Sequence, residues 1–344
     1  MIKKNCWIYA IWIGLILCAQ AWAAAPRPLD IVATTPELGA LAAALSGEAG
    51  RVRTITSGKE DPHFLNARPT FVVMARDADL WIRMGMDLEV GWEPVLLESA
   101  RNPAIRVGQS GHFDAGEAIA YALEVPDATA TRAQGDVHPH GNPHYMLDPL
   151  NARAVAIALA DRLGRIDPVR QGLYEANLSL FLQRLDEAMF GEALVDRLGA
   201  EQLWAAEVEG VLPDLLAHQG VADLLGGWRH AMWPWREKPI ITFHKSWSYF
   251  VNRFGLAVAA HLEPLPGVPP SPAHLARVIE TAGKHGAALI VREPFYPPRP
   301  ADFVSRETGI PVVVVSCYGA DASAGGYFAL MDIIVGAFTR SIDF

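Results

Sequence analysis

The sequence predicts an α/β protein of two lobes, each a mostly parallel sheet flanked by helices, the two joined by one long helix. Three observations predict it. From Leu29 onward, short apolar runs alternate with amphipathic stretches, the order expected of parallel strands covered by helices. The same alternation restarts at Pro239. Between the two blocks lies one longer amphipathic segment, and the chain of 344 residues exceeds a typical single domain.

Taken in order, residues 1–23 read as a cleaved export signal. Lys3 and Lys4 open it, residues 8–17 are almost wholly apolar, and Ala21-Trp22-Ala23 offers the small-x-small cleavage pattern. The competing reading, a lipoprotein acylated at Cys18, fits less well because Leu17 precedes that cysteine where a small residue belongs. Loss of the signal removes Cys6 and Cys18, leaving Cys317 alone, so no internal disulfide is expected. It also moves the formal charge from −9 to about −11, because the only charged residues lost are Lys3 and Lys4. An acidic chain without a basic stripe argues against nucleic acid.

In the first lobe, residues 24–166, strands are expected over 29–35, 52–56 and 80–84. Helices are expected over 36–46, where Pro36 suits the first position, and over 69–76, 87–100 and 151–163, the last opened by Asn151 as cap. Residues 168–189 carry Leu173, Leu178, Phe181, Leu182 and Leu185 on one side and read as the linking helix, within a connecting region 167–190. The second lobe, 191–344, opens with a helical stretch bearing Trp204, Trp228, Trp233 and Trp235, which large aromatics at helical spacing mark as core. Strands at 239–243, 256–260, 287–291 and 312–316 then alternate with helices at 246–254, 272–284, 300–308 and 327–339.

Three histidines stand in separate, structured contexts: Asp61-Pro62-His63, Asn142-Pro143-His144-Tyr145, and Phe243-His244-Lys245. Neutral imidazole is a good zinc ligand, and a lone pair must be aimed by a rigid element. Ligands of open α/β sheets bind beyond the carboxyl ends of the strands. His63 lies just after the second strand and His244 immediately after the first strand of the second lobe, so a site shared between lobes is expected.

These residues carry a resemblance. Glu60-Asp61-Pro62-His63, Gly141-Asn142-Pro143-His144-Tyr145-Met146-Leu147-Asp148-Pro149 and Phe243-His244-Lys245-Ser246-Trp247-Ser248-Tyr249-Phe250 are similar to the signature segments of periplasmic zinc/manganese-binding proteins, the substrate-binding components (cluster A-I) of metal-importing ABC transporters. Gly85-Met86-Asp87-Leu88-Glu89, Glu263-Pro264 and Arg292-Glu293-Pro294-Phe295 extend the likeness over nearly all of the mature chain. The resemblance implies two α/β lobes on one rigid helix, a metal between them, and no enzymatic activity. It implies His63, His144 and His244 as ligands, and a carboxylate from the last loop as the fourth. That loop departs from the family's usual run; Asp321 is its carboxylate and the candidate, with Glu60, Cys317 or a water as competitors. Three imidazoles tilt the cargo toward Zn(II) rather than Mn(II).

The resemblance further implies a periplasmic monomer that delivers Zn(II) to a membrane permease, with a periplasmic metallochaperone as a further partner. His138 and His140 read as solvated loop residues. Asp148 either orients a ligand imidazole or caps the 151–163 helix, Glu60 either holds a water near the metal or is a surface carboxylate, and Glu293 reads as structural or docking-related. The rival functions are a zinc hydrolase with Glu60 as base, and an adhesin that keeps its metal for structure. No His-Glu-x-x-His helix or Gly-x-Ser-x-Gly elbow supports the hydrolase.

Overall fold

The central strands are short, mainly apolar runs whose successive side chains go to opposite faces of a sheet. Ile31 and Ala33 join one core cluster while Val32 between them joins another, and Leu80 and Ile82 flank Trp81 in the same way. In the computed structural model, which describes residues 27–125, 138–319 and 325–341, these runs form a first sheet. It comprises β1 (Leu29–Ala33), β2 (Gly50–Thr54), β3 (Leu80–Arg83) and β4 (His112–Asp114), ordered β2-β1-β3-β4 with every pair parallel. The second sheet repeats the plan with β5 (Pro239–Thr242), β6 (Ala257–His261), β7 (Leu289–Arg292) and β8 (Val312–Val314), ordered β6-β5-β7-β8 and again parallel. In each sheet the first strand is central, paired with the second on one side and the third on the other. That reversal of strand order opens a crevice at the carboxyl ends.

The helices are α1 (Pro36–Ser46), α2 (Pro69–Arg76), α3 (Glu93–Ala100), α4 (Pro149–Ile166), α5 (Gln171–Phe190), α6 (Glu192–Leu198) and α7 (Ala200–Val208). They continue with α8 (Leu212–Gln219), α9 (Gly227–Ala231), α10 (Ser248–Phe254), α11 (Pro272–His285), α12 (Pro298–Thr308) and α13 (Gly326–Arg340). Proline opens α1, α2, α4 and α11, where its missing N–H would have no intrahelical partner anyway. Phe71 of α2 and Leu96 of α3 cover the outer face of the first sheet; Leu275 and Val278 of α11 with Val304 of α12 cover that of the second. The inner faces of both sheets share one continuous core.

The expected linking helix is a short 3-10 turn, Pro168–Arg170, followed by α5. At 20 residues α5 spans about 30 Å. It packs against α1 and α4 at one end and α9 at the other. The last helix makes a second tie: α13 packs on α1, Tyr327 donates to the Met146 carbonyl (3.0 Å), and Phe328 lies 5.2 Å from Phe181 of α5, ring centre to ring centre. Trp204, Trp228 and Trp235 are buried in the shared core.

Three expectations change. The helix expected over 87–100 starts only at Glu93, because Gly85, Met86 and Asp87 take φ of +76°, +51° and +63°, left-handed values that a right-handed helix cannot incorporate. Asn151 is not the cap of α4: Asp148 is, its carboxylate accepting from the Leu150 N–H at 2.9 Å, while Asn151 is buried in the first turn and accepts from the Ala120 N–H. The strand β4, His112-Phe113-Asp114, was not anticipated, since three residues with one apolar centre carry no periodic signal. The export signal with Cys18, and Asp321, lie outside the described residues.

Candidate metal centre

Each histidine is placed by its own local turn. After β2 the chain enters a 3-10 turn, Pro62–Phe64, capped by the Asp61 carboxylate, which accepts from the His63 N–H at 3.0 Å. Trp92 donates its indole N–H to the Pro62 carbonyl at 2.9 Å and pins the turn from behind. The His144 N–H donates to the Asn142 side chain (2.9 Å), and the chain then passes through one turn, Tyr145–Leu147, into α4. His244 stands two residues past the end of β5, with its carbonyl accepting from the Thr242 hydroxyl at 2.8 Å.

These turns bring three buried imidazoles together. Ring centres are 5.6 Å apart for His63 and His144, 5.9 Å for His63 and His244, and 5.5 Å for His144 and His244. One nitrogen from each lies within 4.8 Å of the others. The Nδ1 atoms are all engaged on the far side: His63 with the Asp61 carboxylate (2.7 Å), His244 with the Glu263 carboxylate (2.7 Å), His144 with the Tyr318 hydroxyl (2.9 Å). A carboxylate behind a ring fixes the tautomer and leaves Nε2 to present its lone pair. His144 Nε2 is buried with no hydrogen-bond partner among the described residues. Such a nitrogen suits a metal, and the donor set fits a tetrahedral zinc-type cation with one position to spare.

The electrostatics favour the neutral His144 ring that metal binding requires. Burial, and then the neighbouring His244, His63 and His138, hold His144 well below the ordinary imidazole range. Burial pushes Asp61 up, but the hydrogen bond from His63 and its charge outweigh this and hold the carboxyl below its usual value.

The two lobes meet around this cluster. Asn142 donates to the Lys245 carbonyl (2.8 Å), the Leu123 N–H to the Tyr249 hydroxyl (3.0 Å), and Ser316 to the Gly58 carbonyl (3.1 Å). Asp148 does not reach a ligand imidazole; it caps α4 and pairs with Arg253 of α10. Glu60 is turned back onto Ser57, accepting from its hydroxyl (2.5 Å) and its N–H (3.2 Å). Cys317 is buried outside the set of mutually close nitrogens, and burial pushes its thiol well up. Glu293 is fully buried, its carboxyl pushed up to about 7 by that burial. His138, read from sequence as a solvated residue, is half-buried against His63 with ring centres 5.2 Å apart. The sequence reading gave none of the three residues behind these rings a role; for Asp61 a local signal existed, since an Asp two positions before a turn residue commonly caps it. Glu263 and Tyr318 reach the rings only through the tertiary fold.

This geometry has counterparts. The family model described as zinc-uptake complex component A, periplasmic, matches residues 31–189 and 226–340. The high-affinity zinc uptake system protein ZnuA of Yersinia pestis is 24% identical over 326 residues, 90% of this chain and 89% of that protein. The manganese ABC transporter substrate-binding lipoprotein PsaA of Streptococcus pneumoniae is 22% identical over 305 residues, covering 88% and 84%. A crystal structure of ZnuA superposes with a TM-score of 0.67 at 20% identity, over 92% of this chain and 99% of that one. With both lobes and the linking region matched, the chain belongs to the family of periplasmic zinc-uptake component A proteins.

Proposed function

We propose that this chain captures Zn(II) in the periplasm on His63, His144 and His244 and hands it to the membrane permease of an ABC-type importer, acting as a monomeric carrier and not as an enzyme. One observation carries the reading: three buried imidazole nitrogens from both lobes converge within 4.8 Å, each ring braced from behind. Three neutral nitrogens suit Zn(II), whereas Mn(II) prefers more oxygen. The hydrolase reading loses its base, because the Glu60 carboxylate is bonded to Ser57. The division into a signal at 1–23, lobes at 24–166 and 191–344 and a link at 167–190 is part of this proposal, as are signal cleavage before Ala24 and a periplasmic metallochaperone as a further partner. No described helix is long and apolar enough to cross a membrane.

The test is metal content and competitive Zn/Mn titration of the mature protein beside His63→Ala, His144→Ala, His244→Ala and Asp321→Ala. One tight Zn(II), lost in the three histidine variants, supports the carrier. A loss in Asp321→Ala as well assigns Asp321 a ligand role. No stoichiometric metal, or binding indifferent to the histidines, removes the reading.

A further inference from the structure

We propose that Glu124 is a positioning residue of the carrier site: it ties the turn bearing His144 to the turn that follows His244, and so sets how fast the captured cation leaves. The inference rests on the carrier reading above. The Glu124 carboxylate takes partners from both lobes. Oε1 accepts from the Ser248 hydroxyl, at the start of α10, at 2.7 Å. Oε2 accepts from the Asn142 side-chain amide at 3.2 Å and lies 3.7 Å from Lys245 Nζ. Lys245 immediately follows His244 and opens the 3-10 turn, Lys245–Trp247, that leads into α10. Asn142 stands two residues before His144, and its Oδ1 accepts from the His144 N–H at 2.9 Å. Its amide nitrogen then divides two hydrogens between the Lys245 carbonyl, at 2.8 Å, and Glu124. One carboxylate and one amide thus join the His144 backbone to the residue after His244.

The backbone pays for this grip with strain. Glu124 has φ of +53°, a left-handed value that a residue with a Cβ takes at a cost. Such a conformation persists where its surroundings over-determine it. Here Leu123 is held on both sides: its N–H donates to the Tyr249 hydroxyl at 3.0 Å, and its carbonyl accepts from the Asn142 N–H at 2.9 Å. The ion pair with Lys245 counts for little, because the two side chains are 46% and 37% exposed. The weight falls on the Ser248 and Asn142 hydrogen bonds, which a charged acceptor strengthens. A cation held by imidazoles of both lobes leaves when His144 and His244 move apart. That movement stretches the Asn142–Lys245 bond and breaks the carboxylate's hold on Ser248 or on Asn142.

The experiment is stopped-flow release of Zn(II) from the mature chain into excess chelating dye, with Co(II) absorption of the saturated proteins. It compares wild type, Glu124→Ala, Ser248→Ala and the double variant. Every variant should take one ion with wild-type Co(II) bands, because no ligand is changed. Release from Glu124→Ala should be at least about tenfold faster, the low end of what a hydrogen bond to a charged group is worth. Ser248→Ala should also release faster than wild type, and the double variant no faster than Glu124→Ala, since one hydrogen bond cannot be lost twice. Wild-type release from Glu124→Ala overturns the inference, even if its urea midpoint falls, because the carboxylate then only stabilises the fold. Single effects that multiply in the double variant overturn it too, as do altered Co(II) bands in Glu124→Ala. Where Glu124→Ala does not fold, wild-type release from Ser248→Ala is the overturning result. Wild-type protein without stoichiometric Zn(II) removes the carrier reading itself, a failure distinguishable from these.

Discussion

Arg253 closes on Asp148 across the two lobes, with Nε 2.7 Å from Oδ1 and Nη2 2.9 Å from Oδ2, both side chains buried. Asp148 lies four residues after His144 and also caps α4, so the pair fixes the ligand-bearing turn to the helix that follows the His244 turn. Asp148→Ala leaves a buried guanidinium whose remaining carboxylate partner among the described residues is Glu207, 3.7 Å away. The expected loss is about 3–5 kcal/mol of unfolding free energy, read from urea denaturation of the metal-free protein. An unchanged midpoint would show that the pair does not bridge the lobes in solution.

The residues behind the rings should tune affinity without abolishing it. Glu263→Gln and Asp61→Asn each remove the negative charge that orients and enriches a ligand imidazole. The expected effect is about 10–100-fold weaker Zn(II) binding with the fold retained. Tyr318→Phe, which removes only a neutral hydroxyl from His144, should cost less than either. Competition titration of the three variants gives the ranking, and a larger loss in Tyr318→Phe than in Glu263→Gln would contradict it.

Glu37 gives the alkaline limb of stability a specific cause. It is buried at the start of α1, and burial pushes its carboxyl from 4.5 up to about 8. A carboxyl raised on folding contributes stability that is fully present below its unfolded value and is lost as pH rises through the folded one. Glu37→Gln should therefore gain on wild type as pH rises from 5 to 9. Urea unfolding at both values measures this, and an equal gap at the two would mean that the carboxyl is not held neutral.

Gly85 tests the turn that anchors His138. Its φ is +76°, and a Cβ there would fall 1.9 Å from Asp114 Oδ1. Gly85→Ala must shift the Asp114 side chain and bear left-handed strain, so a loss of about 1–3 kcal/mol is expected. The His138–Met86 contact, 2.8 Å in the folded chain, should loosen with it. A variant as stable as wild type would show that the turn relaxes freely.

Both sheets were legible because their central strands are short, mainly apolar runs, and the starts of α1, α2 and α11 were legible because a proline occupies the first position. His63, His144 and His244 were legible for a related reason: each sits in a local frame of proline, aspartate, asparagine or strand end that the sequence itself spells out. β4 was not, since three residues with a single apolar centre are paired only because β3 lies beside them. The start of α3 was misread because positive φ at Met86 and Asp87 is imposed by Glu89 gripping the preceding backbone, not by glycine alone.

What the sequence determined by itself is therefore the alternation of elements, the two-lobe plan and the three histidines of the candidate site, all products of local patterning within a few residues. What only the tertiary structure decided is what stands behind and beside those rings. Glu263 is 19 positions from His244, Tyr318 is 174 from His144, and His138 is 75 from His63. Contacts at such separations depend on how two lobes pack around α5 and α13, and no periodicity or spacing in a single chain encodes them.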